Sequence, residues 1–135
     1  MKILVTGASG FIGSALVEHL HAEAVRYREP RPLDADVIIH CAHDFSSGAL
    51  TRNIELARAL LPARRVLYFS SCSAVPHARS EYGSTKYRVE QLFKDAGHTI
   101  IRPGLVIGLG GLFLRSTRPL RSARIVPLVN GGRLV

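Results

Sequence analysis

The chain is poor in cysteine, and its last third contains no acid. Cys41 and Cys72 are too few for a disulfide framework. Both lie in or beside apolar, strand-like runs and read as reduced, buried thiols. No apolar stretch approaches the roughly 20 residues of a membrane span, and Lys2 alone does not make the charged start of a signal peptide. A cytoplasmic protein is therefore expected. There are no repeats and no low-complexity tract. Up to Asp95 twelve basic residues face ten acidic ones, whereas beyond it there are six arginines and no Asp or Glu.

What is present is an ordinary globular composition, 47% hydrophobic and 21% charged over 135 residues, enough for one domain with a sizeable core. The net charge is +8, and fifteen of the eighteen basic residues are arginine, the side chain suited to forked contacts with phosphate or carboxylate. A phosphorylated ligand, nucleic acid or an acidic partner would each answer that charge. Arg115, Arg118, Arg121 and Arg124 recur every three residues. The plain reading is a solvated face broken at Pro119, and the sharper one is a seat for the diphosphate of a nucleotide-linked substrate. Nucleic acid is disfavoured, because no aromatic residues interleave with the arginines to stack on bases.

Short apolar runs alternate with amphipathic ones. Strands are expected at 2–6 (KILVT), 24–28 (AVRYR, the weakest), 36–41 (DVIIHC), 65–71 (RVLYFSS) and 98–104 (HTIIRPG). Helices are expected at 11–23, with Ile12, Ala15, Leu16 and Leu20 inward, at 46–61, capped by Ser46 or Ser47, and at 80–97, closing at Gly97. His19 reads as a hydrogen-bonded histidine without a role. The alternation predicts an α/β fold, a doubly wound and mostly parallel sheet covered on both faces. One link is too short. About seven residues separate AVRYR from DVIIHC, whereas a parallel crossover needs a dozen or more. Either 24–28 is an edge strand whose Pro-rich continuation runs straight back, or that stretch is loop; a helix-strand-helix piece is missing after Arg28.

The first strand runs into Gly7, Gly10 and Gly13, where a helix starts. Gly7 permits the tight turn, Gly10 lets a pyrophosphate approach the backbone, and Gly13 lets the helix pack close to the sheet. A tight turn without a ligand is the plainer alternative. HCAH (40–43) has two His and a Cys, but neighbouring strand residues face opposite ways and no second pair follows, so no metal is expected.

The TGASGFIG turn (6–13) resembles the TGxxGxxG loop of the short-chain dehydrogenase/reductase superfamily, in its extended NAD-dependent epimerase/dehydratase branch. DADVIIHCAH resembles that family's strand ending beside the cofactor, TRNIELARAL its next helix with Asn53 at the usual asparagine, and VLYFSSCSAV its Ser/Thr-bearing strand end. Tyr82-Gly-Ser-Thr-Lys86 resembles its YxxxK pair, and IIRPGLVIG its R-P-G-x-V-x-G turn. The resemblance implies a trimmed Rossmann-like NAD(P)-binding domain over 1–135, its C-terminal substrate lobe absent or truncated where RIVPLVNGGRLV leads into it. It implies an enzyme of the epimerase, dehydratase or reductase type acting on a nucleotide-linked sugar or similar hydroxy/keto compound. The alternative is an NAD(P)-binding sensor or interaction domain without turnover.

Catalysis would rest on Tyr82, Lys86 and Ser71, with Cys72 and Ser73 as other candidates for the Ser/Thr place. Tyr82 and Lys86, four apart on a helix, share a face. A phenol with its free pKa of about 10 is a poor base at neutral pH, and a nearby ammonium favours its ionised form. The cofactor would be held by Gly7, Gly10, Phe11, Ile12, Gly13, Arg28, Cys41, Ala42, Tyr82, Lys86, Arg102 and Pro103. His43, where the family usually has a small residue, would crowd the adenosine side. Arg26, Arg28 and Arg31 suit a 2′-phosphate, and Glu29 is the competing acid, so NADP is favoured over NAD. The family pairs through the helices that here span 46–61 and 80–97, so a homodimer is expected, with an exposed apolar patch from 105–114 and 125–129.

Overall fold

A computed structural model describes residues 1–108 and Gly111. The chain divides into Met1–Gly104 and Leu105–Val135. In the second unit the Gly111 N–H donates to the Gly108 carbonyl at 3.1 Å. The expectations for Arg115 to Arg124, for RIVPLVNGGRLV and for most of the apolar patch lie outside the described residues.

The first unit runs β1 (Ile3–Thr6), α1 (Phe11–Leu20), β2 (Glu23–Val25), β3 (Val37–His40), α2 (Leu50–Leu60), β4 (Val66–Phe69), α3 (Glu81–Asp95) and β5 (Thr99–Ile101). All pairings are parallel, in the order β2-β1-β3-β4-β5. That order is what remains of a 3-2-1-4-5-6 sheet once strand 3 and its flanking helices are taken away. The fold is thus α/β and Rossmann-like, trimmed as the short link predicts. No helix among the described residues is long and apolar enough to cross a membrane.

The core shows why these strands sit where they do. Leu4, Ile38, Val66 and Tyr68 turn to one sheet face and meet Leu56, Ala57 and Leu60 of α2 and Val89 and Phe93 of α3. Of the two readings of 24–28, the edge strand holds, but only over Glu23–Val25. Beyond Val25 the chain leaves β1 so that Tyr27 can turn into the core, where it is 5% exposed. Its hydroxyl lies 2.9 Å from the Arg31 carbonyl and 3.0 Å from that of Leu56. Leu33 is buried beside it. Residues 26–36 contain neither helix nor strand. Fully extended they would span roughly 36 Å, enough to return to the start of β3.

Several expected details are corrected. α1 ends at Leu20 because His21 adopts the left-handed conformation (φ 48°), which frees Glu23 to pair with Leu4. Its inward face is also different. Gly13 is its buried residue, while Ala15 and Leu20 are exposed. The contact is made by bare backbone: a Cβ on Gly13 would run into the Gly7 carbonyl oxygen and lie 2.7 Å from its carbon. α2 begins at Leu50, with Ala49 at the cap position and no side-chain cap, so neither Ser46 nor Ser47 caps it. α3 keeps its expected start, where Ser80 Oγ accepts from the Gly83 N–H, and Gly97 (φ 75°) follows its end. Both cysteines are free; Cys41 is half-buried, but Cys72 is exposed, because it lies in the turn beyond β4.

Candidate functional site

Because every strand runs the same way, the ends of β1, β3, β4 and β5 all open on one edge of the sheet. The order reverses between β1 and β3, the place where open α/β sheets bind ligands. There the chain is tied together by polar contacts. The Cys41 N–H donates to the Thr6 carbonyl at 3.1 Å, and Thr6 Oγ1 shares a 2.7 Å hydrogen bond with His40 Nδ1. This brings Cys41 and Ala42 against the glycine turn. A Cβ on Gly7 (φ 72°) would lie 2.6 Å from the Ala42 nitrogen.

α1 starts at this turn with Gly10 at its cap position, with no side-chain cap and no acid in its first turn. The N–H groups of Phe11 and Ile12 are thus not taken by a side chain, and helix N-termini of this kind attract anions. A Cβ on Gly10 would meet only the Gly7 oxygen, at 3.2 Å. The turn therefore fits a pyrophosphate, with Gly10 at the open side and Gly7 and Gly13 packed inward.

Tyr82 lies in the first turn of α3 and Lys86 one turn on. Lys86 is 4% exposed; its Nζ donates to the Phe69 carbonyl at the end of β4 (2.7 Å), stands 4.8 Å from the Tyr68 ring centre and 6.0 Å from that of Tyr82. Burial lowers its pKa to about 8, opposed by Cys41. Burial in turn raises the Cys41 thiol to about 11, against the pull of Lys86. Burial also lowers His40 to about 3 and His43 to about 4, with the Lys86 charge adding to both.

The turn after β4 packs against the start of α3 at Gly83, whose Cβ would lie 2.5 Å from the Ser73 oxygen. Gly83 therefore lets the 71–73 turn and Tyr82 share one wall. Ser71 Oγ accepts from the Ser73 N–H at 3.1 Å, and Cys72 Sγ lies 3.4 Å from the Pro103 carbonyl. Ser70 instead faces inward and donates to Glu90 Oε2 at 2.7 Å. Arg102 forks onto the same carboxylate, with Nε at 2.8 Å from Oε2 and Nη2 on Oε1. Burial favours the neutral acid, yet these bonds outweigh it and hold Glu90 below the usual range. Arg102 thus faces α3 at this edge, and Arg28 lies at the β2 end, lining a cleft of about 390 Å³ with Tyr27, Ala42, His43, Asp44, Phe45, Arg52 and Leu56.

Sequence reading missed four residues here. Phe45, 78% exposed, stacks on Tyr82 (centroids 5.7 Å, planes 11°), and His43 meets Tyr82 edge-on at 5.1 Å. Arg52, Gly83 and Glu90 complete the four, whereas His43 was already visible in the sequence. Only Gly83, between Tyr82 and Lys86, carried a visible signal. Asn53 stands where the resemblance puts the family's asparagine. It holds the β3–α2 loop, its Oδ1 accepting from the Asp44 N–H and its Nδ2 donating to the Asp44 and Ala49 carbonyls. Among the described residues no three His, Cys, Asp or Glu side chains group to hold a metal.

A model of the NAD dependent epimerase/dehydratase family matches residues 3–59. Over 146 aligned positions the chain is 31% identical to the UDP-2-acetamido-2,6-beta-L-arabino-hexul-4-ose reductase of Pseudomonas aeruginosa, covering 88% of this chain and 38% of that protein. Among solved structures, the nucleoside-diphosphate sugar epimerase of Corynebacterium glutamicum matches with a TM-score of 0.61 at 18% identity, over 93% of this chain and 39% of that one. The capsular polysaccharide assembling protein CapF of Staphylococcus aureus gives 0.60 at 21%, over 94% and 42%. The triphenylmethane reductase of Citrobacter sp., complexed with NADP(H), gives 0.59 at 15%, over 89% and 55%. These structural likenesses are likenesses of fold. The chain spans about two-fifths of the curated relative's length. Glycine turn, sheet order and sequence likeness agree in pointing to the NAD dependent epimerase/dehydratase family, whose pattern residues 3–59 carry.

Proposed function

We propose that the chain binds NADP, or NAD less well, and uses Tyr82, Lys86 and Ser71 for epimerase, dehydratase or reductase chemistry on a nucleotide-linked sugar or similar hydroxy/keto compound. The observation that carries this reading is the burial of Lys86 one turn from Tyr82, at the same sheet edge as the glycine turn. A helix-surface Tyr–Lys pair would keep its ammonium in water, whereas this one is drawn in and fixed. The Pseudomonas relative, a reductase of a UDP-linked sugar by its name, supports the substrate class.

In this reading the first N–H groups of α1 bind the pyrophosphate, and Cys41 and Ala42 flank it. Arg28 serves the adenosine end, and Arg102 and Pro103 border the far side. The nicotinamide cofactor supplies or accepts the hydride. Tyr82 moves the proton of the substrate hydroxyl, Ser71 hydrogen-bonds its oxygen, and Lys86 holds positive charge beside the phenol while reaching the ribose hydroxyls. Pairing of two copies through α2 and α3, and a cytoplasmic location, belong to the same proposal. One observation favours the second reading, a cofactor-binding module without turnover: the rings of His43 and Phe45 cover Tyr82.

Substitution of Tyr82 separates the two. Tyr82→Phe is expected to keep dinucleotide affinity and lose turnover on a panel of sugar nucleotides by roughly 100-fold or more, the usual size of a general acid–base contribution. Lys86→Ala is expected to lose both. Unchanged turnover in Tyr82→Phe would exclude the proton-transfer role.

A further inference from the structure

The approximately 390 Å³ cleft lies where β2 and β3 end, and Ala42 joins it directly to the glycine turn. Its walls are apolar or aromatic at Tyr27, Phe45 and Leu56, while two cations of different origin, Arg28 and Arg52, come to it. Arg28 lies in the connection after β2, and Arg52 projects from the first turn of α2. Arg52 Nη2 donates to the Arg28 carbonyl at 2.8 Å, so the two residues are fixed to one another. Arg52 Nε stands 3.7 Å from Asp44 Oδ2, and its side chain is 53% exposed. Several of its five N–H donors are thus left to face the cleft.

Asp44 is the acid within the cleft, and a carboxylate here would ordinarily suit a ribose hydroxyl. Part of its capacity is used within the loop, and its charge is offset by Arg52. Oδ1 accepts from both the Ser46 N–H (2.9 Å) and the Ser46 hydroxyl (2.7 Å), and Oδ2 faces Arg52. Arg26, Arg31 and Glu29 are exposed and do not line the cleft. What the cleft offers an anionic ligand is two arginines, against one acid whose charge Arg52 already offsets, over apolar walls. We propose that Arg52, together with Arg28, seats a phosphomonoester on the adenosine ribose, which makes Arg52 the residue that selects NADP over NAD. The proposal rests on the dinucleotide-binding reading above and assigns its selectivity to a helix residue rather than to the arginines around β2. A guanidinium fork can make paired N–H···O bonds to a phosphate, which a lysine in either place cannot match.

The test is calorimetric binding of NADP, NAD, 2′,5′-ADP and 5′-AMP to the full chain, to Arg52→Gln and to Arg28→Gln. Losing one charged, hydrogen-bonded partner is expected to weaken NADP and 2′,5′-ADP roughly 10- to 100-fold. NAD and 5′-AMP should stay within about twofold. Arg52→Lys is expected to recover only part of the loss. A merely structural Arg52, pinning the chain at Arg28, would move all four ligands together, and that outcome overturns the proposal. So does an unchanged NADP to NAD ratio in both Gln variants. If the unaltered chain binds neither dinucleotide, the reading of the glycine turn fails with it; if it binds both and Arg52 does not discriminate, only this inference fails.

Discussion

Gly7, Gly10 and Gly13 look alike in the sequence and differ in what surrounds them. Gly13 is closed by the backbone of Gly7, and Gly7 holds φ 72° with the Ala42 nitrogen where its side chain would point. Alanine at either should destabilise the fold by roughly 1–3 kcal/mol or more, because backbone cannot move aside as a flexible side chain would. Gly10 meets only one oxygen at 3.2 Å and has an extended φ/ψ that any residue adopts. Gly10→Val should therefore fold with nearly normal stability and lose dinucleotide affinity at least tenfold, since its branches occupy the side open to the pyrophosphate. Urea unfolding beside calorimetry checks this contrast. Normal NADP affinity in Gly10→Val would mean that the turn holds no pyrophosphate. The two spacings of three were legible in the sequence because glycines repeated at that interval between an apolar run and a helix form the phosphate-binding pattern. Which glycine is structural was not, because that depends on Ala42, thirty-five positions from Gly7. Arg52 and Glu90 were invisible for a similar reason: on a helix, Arg and Glu read as solvated until something faces them.

At the scale of elements, strands were legible as apolar runs, and their ends were trimmed by residues that needed to turn away. Tyr27 is the clearest case, read as part of a strand but used as the plug of a helix-free connection. Its ring packs edge-on against His40 (6.2 Å), and its hydroxyl lies between the carbonyls of Arg31, within the connection, and Leu56 of α2. Tyr27→Phe keeps the ring and removes that donor, so a loss of about 1–2 kcal/mol is expected. Tyr27→Ala also opens a cavity and should lose about 3–5 kcal/mol. If both variants unfold at the urea midpoint of the unaltered chain, residues 26–36 do not depend on this plug. The same logic explains the misplaced cap of α2. Periodicity detects the buried Asn53, Leu56, Ala57 and Leu60, but the loop before them is held by Asn53 and Asp44 through bonds that follow no period. Only a side chain's partner in space reveals them.

Across the whole molecule, a parallel sheet buries ionisable groups that serve one edge, and global stability should report them. The buried side-chain nitrogens and oxygens among the described residues all have partners, so these groups are satisfied in the states the fold prefers. His40, 3% exposed and with its pKa lowered to about 3, is neutral in the fold, whereas an unfolded histidine takes up its proton near pH 6.5. As pH falls below about 6.5 the unfolded chain gains a proton that the folded one refuses. Stability should then drop by about 1.4 kcal/mol per pH unit for this residue, down toward pH 3. His43, lowered to about 4, acts in the same direction over a shorter window, more weakly because it is only half-buried. Glu90, held below the usual range, adds its loss only at lower pH. Lys86 works at the other end. With about 8 in the fold against 10.5 unfolded, the unfolded chain holds more protons between those values, so stability should rise again above pH 8. Cys41, raised by burial to about 11, works against this from about pH 9, where the unfolded thiol ionises, and Tyr27 and Tyr68, also raised by burial, add to the reversal near pH 10. Urea unfolding from pH 5 to 9.5 should thus show two rising segments, at 5–6.5 and at about 8–9, with a flatter stretch between and a second flattening above pH 9 where Cys41 offsets Lys86. His40→Gln should flatten most of the first segment and Lys86→Met the second, each leaving the other in place. A flat profile between pH 5 and 6.5 in the unaltered chain would mean that His40 is protonated in the fold, and the buried Thr6–His40 contact would have to be redrawn with an imidazolium.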